Sequence, residues 1–132
     1  MNSSYKILPS EKLVLKKIRG DVTLNDMKII FNEIRELTDR YLDFNNINDY
    51  RETQFLFEKN DFLDLIKSVS PTIFPTTKTI FILDKPTPFV LYHFFKDKYS
   101  FKNTQVFNTI EGACASNAIN PILIKDFFET LS

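Results

Sequence analysis

Two acids, Asp49 and Asp84, are the residues whose types and spacing could do chemistry. Each closes a short segment, Asn46-Ile47-Asn48-Asp49-Tyr50-Arg51 and Thr79-Ile80-Phe81-Ile82-Leu83-Asp84-Lys85-Pro86. As strands of one α/β sheet, these segments would carry both carboxylates to the rim where such sheets gather functional groups. Paired carboxylates there support glycoside chemistry or hold a divalent cation. Plainer roles compete: Asp84 anchors the Lys85-Pro86 turn or caps the next helix, and Asp49 pairs with Arg51. His93, the sole histidine, has Phe89 at i−4 and Asp97 at i+4. That is the pattern of a surface pair, since catalysis or metal binding needs a nucleophile, an acid or a second ligand close by. Cys114 is the only cysteine, which excludes an internal disulfide and a thiolate-based metal site. Among Gly112, Ala113 and Ala115 it reads as a small buried hydrophobe. Gly20 and Gly112 are isolated, so there is no glycine-rich phosphate loop. No catalytic residue, metal or cofactor is expected, and the chain is not expected to be an enzyme.

The elements that must position these groups fit one domain over residues 1–132, long enough to bury a core without disulfides. Lys plus Arg and Asp plus Glu are equal at 17 each, which argues against a phosphate-backbone partner. The one basic cluster, Lys12, Lys16, Lys17 and Arg19, reads as the solvated face of a strand. The start, Met1 to Tyr5, has no apolar signal region, and no window reaches the roughly 20 apolar residues of a membrane span. A soluble cytoplasmic protein is the expectation. The 14 phenylalanines must mostly fill the core, being large and without a polar handle.

Tyr5–Leu8 and Leu13–Ile18 flank Pro9-Ser10-Glu11-Lys12, which reads as a hairpin. Thr23 and Asp26 have the spacing of a capping box. Behind them Leu24, Met27, Ile30, Phe31, Ile34 and Leu37 recur at helical spacing. Asn46–Arg51 is a strand only because helices flank it, since Asn and Asp are poor strand formers. Phe62, Leu65, Ile66 and Val69 mark a second helix. The apolar run Thr79–Leu83 predicts a strand covered on both faces, and Thr87-Pro88 opens a third helix. Thr104–Phe107 is strand-like, Thr109 opens a helix of small residues, and a last helix carries Ile122, Leu123, Phe127 and Leu131. The order β-β-α-β-α-β-α-β-α-α implies an α/β fold with a single mixed, largely parallel sheet of roughly four to five strands and helices packed against it.

That order resembles the STAS-type fold of bacterial anti-sigma-factor antagonists, the SpoIIAA-like proteins. The likeness rests on Tyr5-Lys6-Ile7-Leu8, Ile18-Arg19-Gly20-Asp21-Val22-Thr23-Leu24, Asn48-Asp49-Tyr50-Arg51, Ile82-Leu83-Asp84-Lys85-Pro86 and Val106-Phe107-Asn108-Thr109-Ile110-Glu111-Gly112-Ala113. These landmarks are similar to those of small bacterial SpoIIAA-like proteins of uncharacterised role. The resemblance implies protein–protein control. In the antagonists a serine just after an acid, where the third strand passes into the second helix, is phosphorylated by a partner kinase. Here the matching acid is Asp49, and Tyr50, Arg51, Glu52 and Thr53 follow it. With no serine there, Thr53 is the nearest hydroxyl, and Asp49, Thr53 and Asp84 form the candidate rim or switch loop. The architecture is also similar to lipid-transfer domains of the CRAL-TRIO type, which makes a carrier of an apolar small molecule the alternative.

The third helix is apolar all round, so one face needs cover beyond the sheet. Phe89, Tyr92 and Phe95 are therefore the candidate interaction surface, for a protein partner or a second copy in a homodimer, unless the C-terminal helix around Phe127 and Phe128 covers them.

Overall fold

A strand such as Leu13–Ile18, buried at every position, can exist only in a sheet that is covered on both sides. The computed structural model describes residues 1–69, 78–85 and 103–129. Within them β1 (Asn2–Leu8), β2 (Leu13–Val22), β3 (Asn45–Phe55), β4 (Thr79–Ile82) and β5 (Thr104–Phe107) form a five-stranded sheet, order β1-β2-β3-β4-β5. β1 is antiparallel to β2, and the remaining pairs are parallel. The helices are α1 (Leu24–Arg40), α2 (Lys59–Val69), α3 (Ile110–Ser116) and α4 (Ile122–Glu129). The mixed α/β sheet expected from the alternation is the one observed. The expected third helix, with Phe89, Tyr92, His93 and Phe95, lies outside the described residues.

Local chemistry explains most of these elements. Pro9–Glu11 make a 3-10 turn and Lys12 takes a left-handed φ of 51°, which reverses the chain between β1 and β2. At the start of α1 the Thr23 hydroxyl accepts from the Asp26 amide at 3.2 Å, and the Asp26 carboxylate accepts from the Thr23 amide at 2.9 Å. Two orphan donors of the first turn are thereby satisfied. The amide of Gly112 donates to the Thr109 hydroxyl in the same way at the start of α3.

The sheet divides the interior in two. On one face Ile18, Val22, Tyr50, Phe81, Leu83 and Val106 pack with Met27, Ile30, Phe31 and Ile34 of α1 and with Phe62, Leu65 and Ile66 of α2. On the other face Leu13, Leu15, Ile47, Ile80 and Ile82 pack with Ile110, Ala113 and Cys114 of α3 and with Ile124 and Phe128 of α4. Every residue of β4 is buried, as its apolar run requires.

Three features differ from expectation. Asn46–Arg51 belongs to an eleven-residue central strand, so Asp49 lies within β3 and does not end it. Two of its asparagines are accommodated by side-chain bonds, Asn45 Oδ1 accepting from the Lys78 amide at 3.1 Å and Asn48 Nδ2 donating to the Ile80 carbonyl at 3.4 Å, whereas the buried Asn46 Nδ2 has no partner. The basic cluster is no solvated face, because Lys16 and Lys17 are only 2% and 4% exposed. The Lys16 ammonium is held by Glu33 of α1. Burial lowers its pKa, and the Glu33 carboxylate opposes that shift. In α4, Ile124 and Phe128 are the buried residues, while Ile122 and Leu123 are exposed. The helix is rotated so that an i, i+4 pair meets the sheet.

Thr79, on the α1/α2 side of β4, has a buried hydroxyl without a hydrogen-bond partner. Thr79→Val removes that unmet group at nearly constant shape, so the urea midpoint should rise by the equivalent of about 1 kcal/mol. Phe81→Ala, two residues along the same face, should lose about 3–5 kcal/mol. A Thr79→Val variant less stable than wild type would mean that solvent satisfies the hydroxyl.

Candidate functional site

The charged groups that the fold brings together lie along the middle of β2 and β3 and just past the C-terminal end of β4. Their arrangement starts from a bulge. Lys17 pairs with Asp49 and Arg19 with Glu52, so β3 spends one more residue than β2 over this interval. A bulge shifts the phase of side-chain alternation. Tyr50 and Phe55, five residues apart, would face opposite ways in a regular strand. Here both lie on the α1/α2 side, in edge-to-face contact with ring centroids 6.1 Å apart.

On the α3/α4 side Asp49 and Arg51 lie together by ordinary alternation, and the bulge adds Glu52 to the same face. Asp49 is 1% exposed. It accepts from the Arg51 amide at 3.0 Å, from Nε at 2.9 Å and from Nη2 at 3.0 Å. The fork of the guanidinium matches the two carboxylate oxygens, the strongest geometry available to such a pair. Hydrogen bonding to Asp49 raises the Arg51 pKa above its ordinary value against the pull of burial, and the charges of Asp49, Asp84 and Glu129 add to it. Asp84, half exposed, lies 3.7 Å from the Lys85 ammonium. Lys85 in turn donates to the Arg51 carbonyl at 2.6 Å. Both sequence-selected acids therefore act on one guanidinium; Asp49 binds it directly and Asp84 through charge.

Lys17, directly opposite Asp49 on β2, donates to the Phe128 carbonyl in the last turn of α4. A cation at a helix C-terminus satisfies an orphan carbonyl and the negative end of the helix dipole. Glu52 then lies 3.6 Å from Lys17 and 3.7 Å from Arg19. Among the described residues this cluster sets Lys17, Arg19, Arg51 and Lys85 against Asp49, Glu52, Asp84 and Glu129.

Thr53 stands in β3, where a loop was expected. It is 4% exposed, and its hydroxyl donates to the Tyr50 carbonyl at 2.6 Å. Cys114 is buried and free, and burial pushes its thiol up, with the Glu111 carboxylate adding to the shift. The described residues contain no cluster of three or more His, Cys, Asp or Glu able to hold a metal ion. Among them no helix is long and apolar enough to cross a membrane. The Asp49–Arg51 pair was foreseeable from its i, i+2 spacing on a strand. The parts played by Lys17 and Glu52 were missed, because their partners are a distant helix end and a neighbour displaced by the bulge.

No family model matches the sequence, and no curated relative does. Solved structures do match in shape. The anti-sigma factor antagonist SpoIIAA in its unphosphorylated form superposes with a TM-score of 0.55 over 89% of this chain and 97% of its own, at 11% identity. The fold is SpoIIAA-like. An uncharacterized DUF3478-family protein with a SpoIIAA-like fold from Shewanella loihica PV-4 aligns with a TM-score of 0.52 and 14% identity, covering 86% of this chain and 91% of its own. The STAS-type resemblance of the sequence motifs and the SpoIIAA-like topology agree.

Two outcomes follow from the geometry. Arg51→Met leaves a buried carboxylate without its cation and should cost about 3 kcal/mol in urea unfolding, whereas pairing it with Asp49→Leu should recover most of that loss. Equal destabilisation of the single and double variants would refute the coupling. Cys114, with its pKa raised and its sulfur enclosed, should react with a thiol reagent at pH 8 at least about a hundredfold more slowly in native protein than in denaturant. Comparable rates would show that α3 does not shield it.

Proposed function

We propose that this chain is a cytoplasmic, non-catalytic SpoIIAA-like interaction or regulatory domain that works without the phosphorylatable serine of the anti-sigma-factor antagonists. The observation that carries this reading is the state of the rim acid and its nearest hydroxyl. Asp49 is buried and fully engaged by Arg51, so it is not poised as a base. The Thr53 hydroxyl is turned inward onto the Tyr50 carbonyl, where a kinase would have to open the strand to reach it. What faces solvent is charged and of mixed sign: Glu52, Asp84 and Lys85 are about half exposed. Mixed charges at a rim favour specificity for a complementary protein over tight nonspecific binding. Phe89, Tyr92 and Phe95 follow Lys85 closely in sequence and are proposed as the apolar part of the same partner surface.

Charge reversal tests the rim. Asp84→Lys with Lys85→Glu exchanges the two exposed signs, and the variant, which also loses the exposed Lys85 bond to the Arg51 carbonyl, should stay folded with a urea midpoint lowered by the equivalent of no more than about 1 kcal/mol. In affinity capture from the native host with quantitative mass spectrometry, a partner enriched on wild-type protein should fall at least about tenfold on the variant. The same proteins recovered equally on both baits would overturn the assignment of this rim.

A further inference from the structure

β1 is an edge strand with few of the devices that normally protect such an edge. It spans seven residues, Asn2–Leu8, and among the described residues its only hydrogen-bonded neighbour strand is β2. The register between them runs unbroken from Asn2↔Arg19 to Leu8↔Leu13. Within the strand there is no proline, no glycine and no bulge, and Lys6 is the only charge. Residues Asn2 through Lys6 are exposed, so no described helix covers them. A long, regular, lightly charged edge is a template for another strand.

The side chains beside it point to a particular occupant. Ser3, Tyr5 and Ile7 lie on the α1 side, since their partners across the pair are Ile18, Lys16 and Val14 and the Ser3 hydroxyl donates to Glu33 of α1 at 3.4 Å. Ile29 precedes Glu33 by one turn on the same helix stripe. Tyr5 and Ile29 are 54% and 49% exposed, so two large apolar groups flank the open edge on one side.

We infer that this chain forms a homodimer in which β1 pairs antiparallel with β1 of a second copy across a two-fold axis at Tyr5, giving a continuous sheet. The strand is self-complementary in that register. Ser4 stands opposite Lys6, Ser3 opposite Ile7 and Asn2 opposite Leu8, so every residue is paired and the lone charge meets a neutral hydroxyl. The axis is perpendicular to the sheet, which keeps both α1 helices on the same side. With α1 packed over β2, the two helices would be separated by three strand spacings, about 14 Å. Helices in direct contact approach to about 8–10 Å, and the remaining gap suits the paired Tyr5 rings with Ile29 from each copy. The pairing uses the end of the strand order opposite β5, and it stands independently of the proposed partner surface.

Size-exclusion chromatography with light scattering tests it on the whole chain. Wild-type protein near 100 µM should have twice the 15.5 kDa chain mass. Tyr5→Glu sets two carboxylates face to face on the axis, while within its own chain the new acid lies beside Lys16, so folding should be spared. Its dimer should dissociate at least about tenfold more readily at neutral pH. Ser4→Glu, facing Lys6 of the second copy, should tighten the dimer. Urea midpoints check that both variants fold. A monomeric wild type, as expected if the edge receives a strand from a different protein, overturns the inference, as does a Tyr5→Glu variant that folds and dimerises like wild type.

Discussion

Coverage of β2 and β3 on both faces is the constraint on which the rest of this structure depends. A polar side chain on a doubly covered strand has no water to turn to, so it must find a partner within the protein or cost stability. Lys16 reaches Glu33 on α1, Lys17 reaches the last turn of α4 through the Phe128 carbonyl, and Asp49 takes Arg51. Two of these links join the central strands to helices on opposite faces. Their net contribution to stability is modest, because burial of each charge offsets much of the attraction. They also specify: α1 and α4 have a preferred axial position because a lysine awaits each of them.

The bulge in β3 is the second determinant. By inserting a residue opposite Ile18, it sends Tyr50 and Phe55 into the same core while adding Glu52 to Asp49 and Arg51 on the other side. Arg51 folds back along its own strand onto Asp49. The hydroxyl of Thr53 turns into the α1/α2 side and onto a backbone carbonyl. One irregularity in register thus accounts for both the packed aromatic cluster and the place of Glu52 in the charged rim.

The likeness to SpoIIAA at 11% identity shows how little of a fold resides in particular residues. Element order, apolar period and handed crossovers suffice to specify such a sheet. Function is grafted onto specific positions, which the fold alone does not fix. In this chain an arginine-neutralised acid, Asp49, and an inward threonine, Thr53, occupy the third strand.

Local and periodic features were legible in the sequence because their physics is local. The Thr23–Asp26 capping box, the helical stripe from Leu24 to Leu37 and the unbroken apolar run before Asp84 each needed only near neighbours to be read. The Asp49–Arg51 pair was readable for the same reason, since strand geometry sets residues i and i+2 side by side. Non-local relations were decided only in three dimensions. The partners of Lys16 and Lys17 are 17 and 111 residues away, so no spacing rule could tell a solvated strand face from a buried one. Asn46–Arg51 became a central strand despite poor propensity because flanking strands and covering helices supplied what the asparagines lack. The rotation of α4, which buries Ile124 and Phe128 and leaves Ile122 and Leu123 outside, followed from where that helix meets the sheet. The sequence determined which elements form and in what order, because hydrogen-bonded turns and apolar periods act over a few residues. Burial and charge pairing depend on what the folded chain lays on top, and only the tertiary structure decided those.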